Sequence, residues 1–402
     1  MTVSGDVWRD HTPAVLAALL RRSGDLGGCE DAVQEALLAA AVQWPRDGVP
    51  DNPRGWLVWV ASRKLIDAER SDAARARREV DLARHEVVTD SVERDDTVQL
   101  LLLCCDPCLA PVSRIALTLR AVAGLSTAQI AAGFWVPEAT MAQRISRAKA
   151  TLRKHGATFG HVPADEVAER LHGVRHVLHL VFNEGYTSSG GETVIDTDLT
   201  GEAIRLAEQL HRAVPDDDET TGLLALMLLS DARTPARLTG TGDLVPLAEQ
   251  DRTRWHRDKI DRGTAMLERV LARGPVGPFQ LQAAIAGVHA AATDPTQTDW
   301  LEICILYRML AVVAPSPSVT LNLAIAIGMA HGVAAGLAAL AELRHDPAQR
   351  HNHRVFAAYG HLLELAGDGP GAAEAFATAA RLTHSLPEQR YLNAKAAALG
   401  RP

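Results

Sequence analysis

Residues 112–154, VSRIALTLRAVAGLSTAQIAAGFWVPEATMAQRISRAKATLRK, decide the fold of the N-terminal part of this 402-residue chain. They predict a helix, a break at Gly124, and then two short helices joined by a turn. Ser126 and Gln129 have the spacing of a capping box, which would start the first short helix. Pro137 suits the first turn of the next helix, where its missing N–H is not needed. The stretch therefore predicts a helix-turn-helix.

The second short helix is basic, because no acidic residue follows Glu138 up to residue 154. Its apolar positions, which we expect to face the core, are Met141, Ile145 and Ala148. Side chains that can reach base edges or phosphates of duplex DNA are Thr140, Gln143, Arg144, Arg147 and Lys149. Spacing does not say which of them reads bases. A generic amphipathic helical hairpin is the alternative interpretation.

Two further helices are predicted before this motif. In the segment 29–44, CEDAVQEALLAAAVQW, small apolar residues line one face. The opposite face is acidic and polar, and consists of Glu30, Asp31, Gln34 and Glu35. A Pro/Gly-rich connection separates this helix from a second one that begins at Trp56 and runs through WLVWVASRKLIDAERSDAARARR.

The second of these helices combines aromatic and basic residues. Between Arg54 and Arg78 there are seven basic and three acidic residues. Separation of DNA strands needs cations for the single strand and aromatic platforms for unstacked bases. The residues that supply both are Trp56, Trp59, Arg63, Lys64 and Arg70. Core packing is the alternative for both tryptophans and is favoured for Trp56, and a solvated charged face is the alternative for the basic residues.

Together, these three segments resemble regions 2 and 4 of an extracytoplasmic-function sigma factor of the sigma-70 family. The forms GFWVPEATMAQR and CCDPCLAP are similar to the subgroup with a tetratricopeptide-like C-terminal extension. The resemblance implies that Asp31, Gln34 and Glu35 bind core RNA polymerase, whose clamp helices and flap are the expected contacts. It further implies that the helix from Trp56 to Arg70 reads and melts the −10 promoter element. The helix from Thr140 to Lys154 would read the −35 element.

Helical periodicity throughout predicts an all-α protein. The resemblance implies that it consists of two small helical sigma domains followed by an α-helical extension. The predicted divisions are region 2 (1–78), an acidic linker (79–98), region 4 (99–158), a helical middle domain (163–275) and tetratricopeptide-like repeats (276–402). The repeats are predicted from equivalent positions about 33 and 36 residues apart, with a plain helical bundle as the alternative. The resemblance places the acidic linker in the RNA path of the polymerase.

The formal net charge of −8 at first argues against a DNA partner, but it is unevenly distributed. Residues 1–160 contain 20 basic and 20 acidic residues, so the acidic excess lies in the extension. We expect the extension to contact the sigma domains and to control their activity, either by inhibition or as a positive requirement.

The remaining motifs give weaker indications. We expect neither membrane insertion nor secretion, because the apolar runs are short, and five cysteines without a disulfide pattern indicate a reducing cytoplasm. Two stretches within the extension are predicted to be irregular, the end of LVFNEGYTSSGGE (180–192) and residues 231–255. Neither pairs a nucleophile with a base, so no enzyme and no cofactor is expected. Low-priority metal candidates are the thiols Cys104, Cys105 and Cys108 and the histidine groups His172/His176/His179 and His345/His351/His353.

Two other functions remain open at this point. One is a helix-turn-helix regulator with a tetratricopeptide sensor that acts without polymerase. The other, less favoured, is an enzyme in the C-terminal part. A sigma factor requires two DNA-contacting regions, which the segments 54–78 and 137–154 provide, whereas the regulator needs only the second.

Overall fold

The computed structural model shows an all-α protein. The described residues are 5–76, 96–134, 136–187 and 197–400. Side chains are described throughout these ranges except at 5–10, 68–76 and 132. Within this part the regular elements are helices, apart from an isolated bridge between Leu238 and Leu244. The predicted all-α class is confirmed. The chain forms two compact units, Met1–Leu180 and Val181–Pro402.

The first unit contains seven helices and most of an eighth within its described residues. They are α1 (Gly5–Ser23), α2 (Leu26–Asp47), α3 (Pro53–Ala76), α4 (Thr97–Cys104), α5 (Pro111–Ala121), α6 (Thr127–Gly133), α7 (Glu138–Lys154) and α8 (Val167–Tyr186), which continues into the second unit. Helix α2 begins at the N-cap Asp25, whose carboxylate accepts hydrogen bonds from the backbone N–H of Gly27 and Gly28. Helices α1, α2 and α3 pack on one another, and α5 and α6 pack on α7.

The first unit extends beyond residue 158, the predicted end of region 4. The buried guanidinium of Arg170 on α8 lies 2.8 Å from the carboxylate of Asp106, and it also pairs with Glu166. Burying a charge is costly unless it is paired, so these contacts fix the start of α8 against the turn that follows α4.

The second unit is a series of packed helices. They are α9 (Thr197–Ala213), α10 (Asp218–Asp231), α11 (Arg257–Leu271), α12 (Pro278–Ala291), α13 (Trp300–Val313), α14 (Pro317–His331), α15 (Val333–His345), α16 (His353–Leu365), α17 (Gly369–Leu382) and α18 (Leu386–Leu399). Helix α10 packs against α9, α11 and α12, and most of its residues are buried. Between α10 and α11, where the sequence predicts an irregular stretch, the chain forms three short 3₁₀ turns joined by irregular segments.

Small residues allow the later helices to pack closely. A Cβ atom on Gly336 would lie 2.6 Å from the Cα atom of Gly328, so α14 and α15 touch through their backbones. A Cβ atom on Gly360 would lie 3.1 Å from ring carbons of Phe376. The contact between Gly360 and Phe376 joins α16 to α17. Assignment of these helices to tetratricopeptide repeats stays a prediction.

Candidate nucleic-acid and polymerase interface

The helix-turn-helix forms through the local signals that the sequence contains. Backbone N–H of Ser126 donates to Gln129 Oε1 at 2.9 Å, and backbone N–H of Gln129 donates to Ser126 Oγ at 3.1 Å. This reciprocal pair is the predicted capping box. Gly124 has a φ of 68°, which suits a glycine where α5 gives way to the turn. Pro137 directly precedes the first residue of α7.

Helix α7 divides into a buried face and an exposed face. Its buried residues are Met141, Ile145, Ala148 and Leu152, which include the three that the sequence assigns to the core. Thr140, Gln143 and Arg147 are exposed, and Arg144 is half-buried. At 100° per residue these four positions share one side of the helix. The structure therefore brings four of the five predicted −35 residues together on one surface.

Lys149, the fifth predicted −35 residue, lies on the opposite side of α7. Its ammonium nitrogen is 2.7 Å from Glu30 Oε2, and its side chain is only 16% exposed. The Nε–H of Arg120 donates to Glu30 Oε1 at 2.5 Å. Glu30 was expected on an exposed acidic face with Asp31, and this expectation is wrong. The glutamate is buried because two cations compensate its charge.

The predicted −10 residues lie along α3 in different environments. Trp56 is half-buried and contacts Trp44 edge-on, with ring centroids 5.5 Å apart, which favours the packing alternative for this residue. Trp59 is 54% exposed, and the guanidinium of Arg63 lies 5.2 Å from its ring centroid. Such a cation beside an open aromatic face can hold a phosphate while a base stacks on the ring. The side chain of Arg70 lies outside the described residues.

The predicted polymerase-binding residues occupy the outer side of α2. Asp31 and Glu35 are exposed, and Gln34 is half-buried. Glu35 lies 3.5 Å from the ammonium of Lys64, a predicted −10 residue. Because both side chains are about half exposed, this pair contributes little to stability and leaves both charges accessible to a partner. Of the predicted acidic linker, residues 79–95 lie outside the described residues.

The cysteine motif is a structural turn. Burial raises the pKa of the Cys105 thiol to about 12, and burial together with hydrogen bonding to Asp106 raises the pKa of Cys108 to about 12. Backbone N–H of Cys108 donates to Asp106 Oδ1 at 2.9 Å. Since redox chemistry needs a thiolate, these raised pKa values work against a redox role.

The histidine groups are spread over helix faces and packed positions. His172 and His176 lie with their rings 4.3 Å apart, and burial lowers the pKa of His179 to about 4. Nε2 of His353 lies 3.1 Å from a carboxylate oxygen of Glu388. Among the described residues, no group of three or more His, Cys, Asp or Glu side chains is arranged to hold a metal ion.

Two motifs of the extension meet in the second unit. Arg233 Nη2 donates to the hydroxyl of Tyr186 at 2.9 Å. The guanidinium of Arg237 lies 3.6 Å from the Tyr186 ring centroid and donates to the Tyr186 carbonyl and to Thr187 Oγ1. The arginines of the irregular stretch thus hold the end of the NEGY sequence. Sequence reasoning marked both segments but not their contact, because no local signal pairs residues about 50 positions apart.

Three family models match successive parts of the chain. Residues 7–75 match the family model for sigma-70 region 2, and residues 99–152 match that for sigma-70 region 4. A probable ECF RNA polymerase sigma factor, SigI of Mycobacterium tuberculosis (strain CDC 1551 / Oshkosh), is 35% identical over 154 residues. The chain belongs to the extracytoplasmic-function sigma factors of the sigma-70 family.

The similarity to SigI covers 35% of this sigma factor and 51% of SigI, so the chain spans about half of that relative. Residues 170–271 match a family of unknown function, DUF6596, and place the protein in the subgroup with a C-terminal extension. An uncharacterized protein of Rhizobium meliloti (strain 1021), R00370, is 42% identical over 340 residues, which is 81% of this chain and 79% of that protein. That similarity therefore includes much of the extension. In the described part of the sigma factor, every helix is too short or too polar to span a bilayer.

Proposed function

We propose that this sigma factor directs core RNA polymerase, in the cytoplasm, to promoters with specific −35 and −10 elements. The observation that supports the proposal is that one chain has two separate surfaces whose residue types suit nucleic acid. One is the polar side of α7 formed by Thr140, Gln143, Arg144 and Arg147. The other is the exposed Trp59–Arg63 pair on α3. A regulator that acts without polymerase needs only the first surface.

The −35 surface is tested by Arg147→Ala in run-off transcription with purified core polymerase. If Arg147 contacts a base, its loss costs about 1–3 kcal/mol and relaxes specificity at one position of the element. If it contacts a phosphate, binding weakens for all sequences and the salt dependence becomes shallower by about one unit of slope. Arg46→Ala, which removes an exposed arginine at the end of α2, is the matched control.

The −10 surface is tested by Trp59→Ala and Trp59→Phe. Stacking of one base on an aromatic ring contributes about 1–3 kcal/mol, so Trp59→Ala should lower open-complex formation by roughly 5- to 150-fold. Trp59→Phe keeps a stacking surface and should retain most activity. Permanganate reactivity of unpaired thymines measures the opening. Equal activity of Trp59→Ala and the unaltered protein would remove Trp59 from the −10 surface.

The extension is proposed to alter this activity through contact with the sigma regions. What supports this is an apolar stripe on α13 that is exposed within the described residues. Its members are 43–82% exposed, and they are Leu301, Ile305, Met309 and Val312. An apolar stripe at helical spacing is typical of a contact surface.

The extension is tested in the full chain with the double variant Ile305→Ser/Val312→Ser. Both side chains are more than half exposed, so the fold should tolerate the change. Promoter-specific transcription should rise if the extension inhibits and fall if it is required. Truncation after Tyr186, which removes the part of the extension beyond α8, is a second test. Unchanged transcription in both forms contradicts this part of the proposal.

A further inference from the structure

Three arginines of the second unit have no carboxylate partner within the described residues. They are Arg233, Arg237 and Arg252, and they contact hydroxyl oxygens, carbonyl oxygens and aromatic faces instead. The buried Arg170 of the first unit, in contrast, pairs with two carboxylates. A cation removed from water is costly unless an anion compensates its charge. The second unit therefore concentrates positive charge that its own side chains do not neutralise by pairing.

Two of these arginines have structural roles. Arg237 donates through both terminal nitrogens to the chain around Tyr186. Arg252 donates through Nη1 to two carbonyl oxygens at the end of α12, at 2.6 and 2.5 Å, where a helix leaves its last carbonyls without intrahelical donors. Within the described part of the chain, Arg233 makes one hydrogen bond, from Nη2 to the hydroxyl of Tyr186 at 2.9 Å. A neutral hydroxyl does not compensate a charge, so Arg233 is the cation that a ligand can neutralise.

One apolar cluster brings these cations next to a histidine. Trp255 packs in it together with the alanines that adjoin Arg233 and His289 in the sequence. The guanidinium of Arg252 lies 4.8 Å from the ring centroid of Trp255, and its Nη1 lies 2.6 Å from the backbone oxygen of His289. Side chains from the stretch after α10 and from α12 thus meet in one place.

The electrostatics of the cluster agree with this geometry. Burial and the charges of Arg233 and Arg252 lower the pKa of His289 to about 4, so this imidazole is neutral at neutral pH. Burial lowers the pKa of Arg252, and the exposed carboxylate of Asp294 opposes this without forming an ion pair in the described structure. The net charge of the cluster is therefore that of its two arginines.

Four buried nitrogens of the cluster have no hydrogen-bond partner among the described residues. They are Arg233 Nε, Arg252 Nε, Trp255 Nε1 and His289 Nδ1, the last of which donates in one neutral tautomer. Buried polar atoms are paired in the great majority of cases, so four in one cluster indicate a place built for a hydrogen-bond acceptor. Both arginines and the histidine are half-buried, so a ligand can reach them from one side.

The charge of the cluster matches that of a phosphate monoester. Such a phosphoryl group carries nearly two negative charges at neutral pH and has three strong acceptor oxygens. Planar guanidinium groups bind phosphate oxygens through paired hydrogen bonds. A carboxylate or a phosphodiester carries a single charge and would leave one arginine uncompensated. The cluster therefore favours a dianion.

We propose that the cluster of Arg233, Arg252 and His289 in the extension binds the phosphoryl group of a small phosphate monoester. Arg233 and Arg252 bind the phosphoryl oxygens, and His289 donates a further hydrogen bond. All three residues lie in the second unit, so the inference goes beyond the proposed promoter function and does not depend on it.

The test is calorimetric titration of inorganic phosphate into the full-length protein at constant ionic strength. Arg233→Gln should weaken binding about 10- to 150-fold, because a charge-assisted hydrogen bond is lost. Arg254→Gln is the matched control, since Arg254 is an exposed arginine in the same 3₁₀ turn as Arg252, and it should bind phosphate like the unaltered protein. Equal binding by Arg233→Gln and the unaltered protein overturns the proposal.

The charge of the ligand is tested with further probes. Sulfate, a dianion, should bind comparably to phosphate, whereas dimethyl phosphate and acetate, with one charge each, should bind at least about tenfold more weakly. Equal binding of dimethyl phosphate overturns the assignment to a monoester and would indicate a nucleic-acid backbone instead.

Thermal unfolding separates a ligand site from a purely structural cluster. Without phosphate, Arg233→Gln should leave the unfolding midpoint unchanged or raise it, because it removes an unpaired cation. Phosphate should raise the midpoint of the unaltered protein but not that of Arg233→Gln. A midpoint that falls in Arg233→Gln, together with no response of the unaltered protein to phosphate, shows a structural role and overturns the site.

The location of binding is measured on the unaltered protein, so that no variant needs to fold. Phosphate should slow amide hydrogen exchange at residues 231–255 and at the end of α12. Slowing confined to α3 or α7 would place the phosphate on the proposed nucleic-acid surfaces and overturn the site in the extension. Run-off transcription tests the promoter function separately, so failure of one proposal leaves the other standing.

Discussion

The sigma regions and the extension are held together by different kinds of contact. The polar contacts between regions 2 and 4 are ion pairs, Glu30 with Arg120 and Lys149, and Asp25 with Arg153, beside the packing of α1 on α4 and α5. In the extension, neighbouring helices meet through glycines and apolar rings, as where Gly360 faces Phe376. A lysine released from a carboxylate can pair with a phosphate, whereas an apolar layer released from its neighbour can only be exposed to water.

Because these contacts differ, we expect the sigma regions and the extension to behave differently. Charged contacts can be exchanged for contacts with another charged partner, so they suit an interface whose charges can find other counter-charges. Close apolar packing is lost only by unfolding, so it suits a scaffold that keeps its shape. Substitutions that remove one kind of contact at a time test this comparison.

The largest effect is expected from Phe376→Ala in the extension. Phe376 is 3% exposed, and removing its ring leaves a cavity between α16 and α17, which should cost about 3–5 kcal/mol. Amide hydrogen exchange across these two helices measures the local free energy of opening. Val312→Ala, at a position that is 82% exposed, should change it by less than about 0.5 kcal/mol. A loss below about 1 kcal/mol for Phe376→Ala would show that the layer is not closely packed.

An intermediate effect is expected from Asp106→Asn in the first unit. Burial opposes ionisation of Asp106, but hydrogen bonds from Cys108 and the charges of Arg170 and Arg114 lower its pKa overall. Its stabilisation is therefore complete above the unfolded-state pKa of about 3.9 and is lost as pH falls through the lower folded-state pKa. At neutral pH the substitution should cost about 1.5–3 kcal/mol, because a hydrogen-bonded charge is lost.

The measurement for Asp106→Asn is urea unfolding as a function of pH. The difference in the free energy of unfolding between variant and unaltered protein should narrow as pH falls below about 4. Asp47→Asn changes an exposed carboxylate at the end of α2 and serves as control. A difference that stays constant, or widens, in acid contradicts the assigned charge contacts.

The features of the fold that could be predicted from the sequence are those set by local signals. The capping box of Ser126 and Gln129, the glycine at 124 and the spacing of Met141, Ile145 and Ala148 all act within a few residues, and each appears in the structure as predicted. The predicted −35 surface follows from the same periodicity, since four of its five members share the exposed side of α7. Their roles in DNA binding stay predictions.

The part that sequence did not predict is the pairing of distant charges. Glu30 and Arg120 are 90 positions apart, and nothing near either residue indicates the other. On helical periodicity alone, Glu30 belongs with Asp31 and Glu35 on a solvated face. In the same way, the sequence alone groups Lys149 with the other residues of α7 that are predicted to contact DNA. Only the packing of region 4 on region 2 shows that the two side chains neutralise each other.

The smallest effect is expected from the exposed pair Asp25–Arg153. Both side chains are about half exposed or more, so their coupling should be about 0.2–1 kcal/mol. Asp25→Asn removes the charge but keeps an oxygen that can cap α2. A double-mutant cycle with Arg153→Gln isolates the coupling in urea unfolding. At about 1 M salt, where screening extends over only about 3 Å, it should disappear. Coupling above about 2 kcal/mol that persists in salt would mean that this edge of the interface is as desolvated as the pair of Glu30 with Lys149.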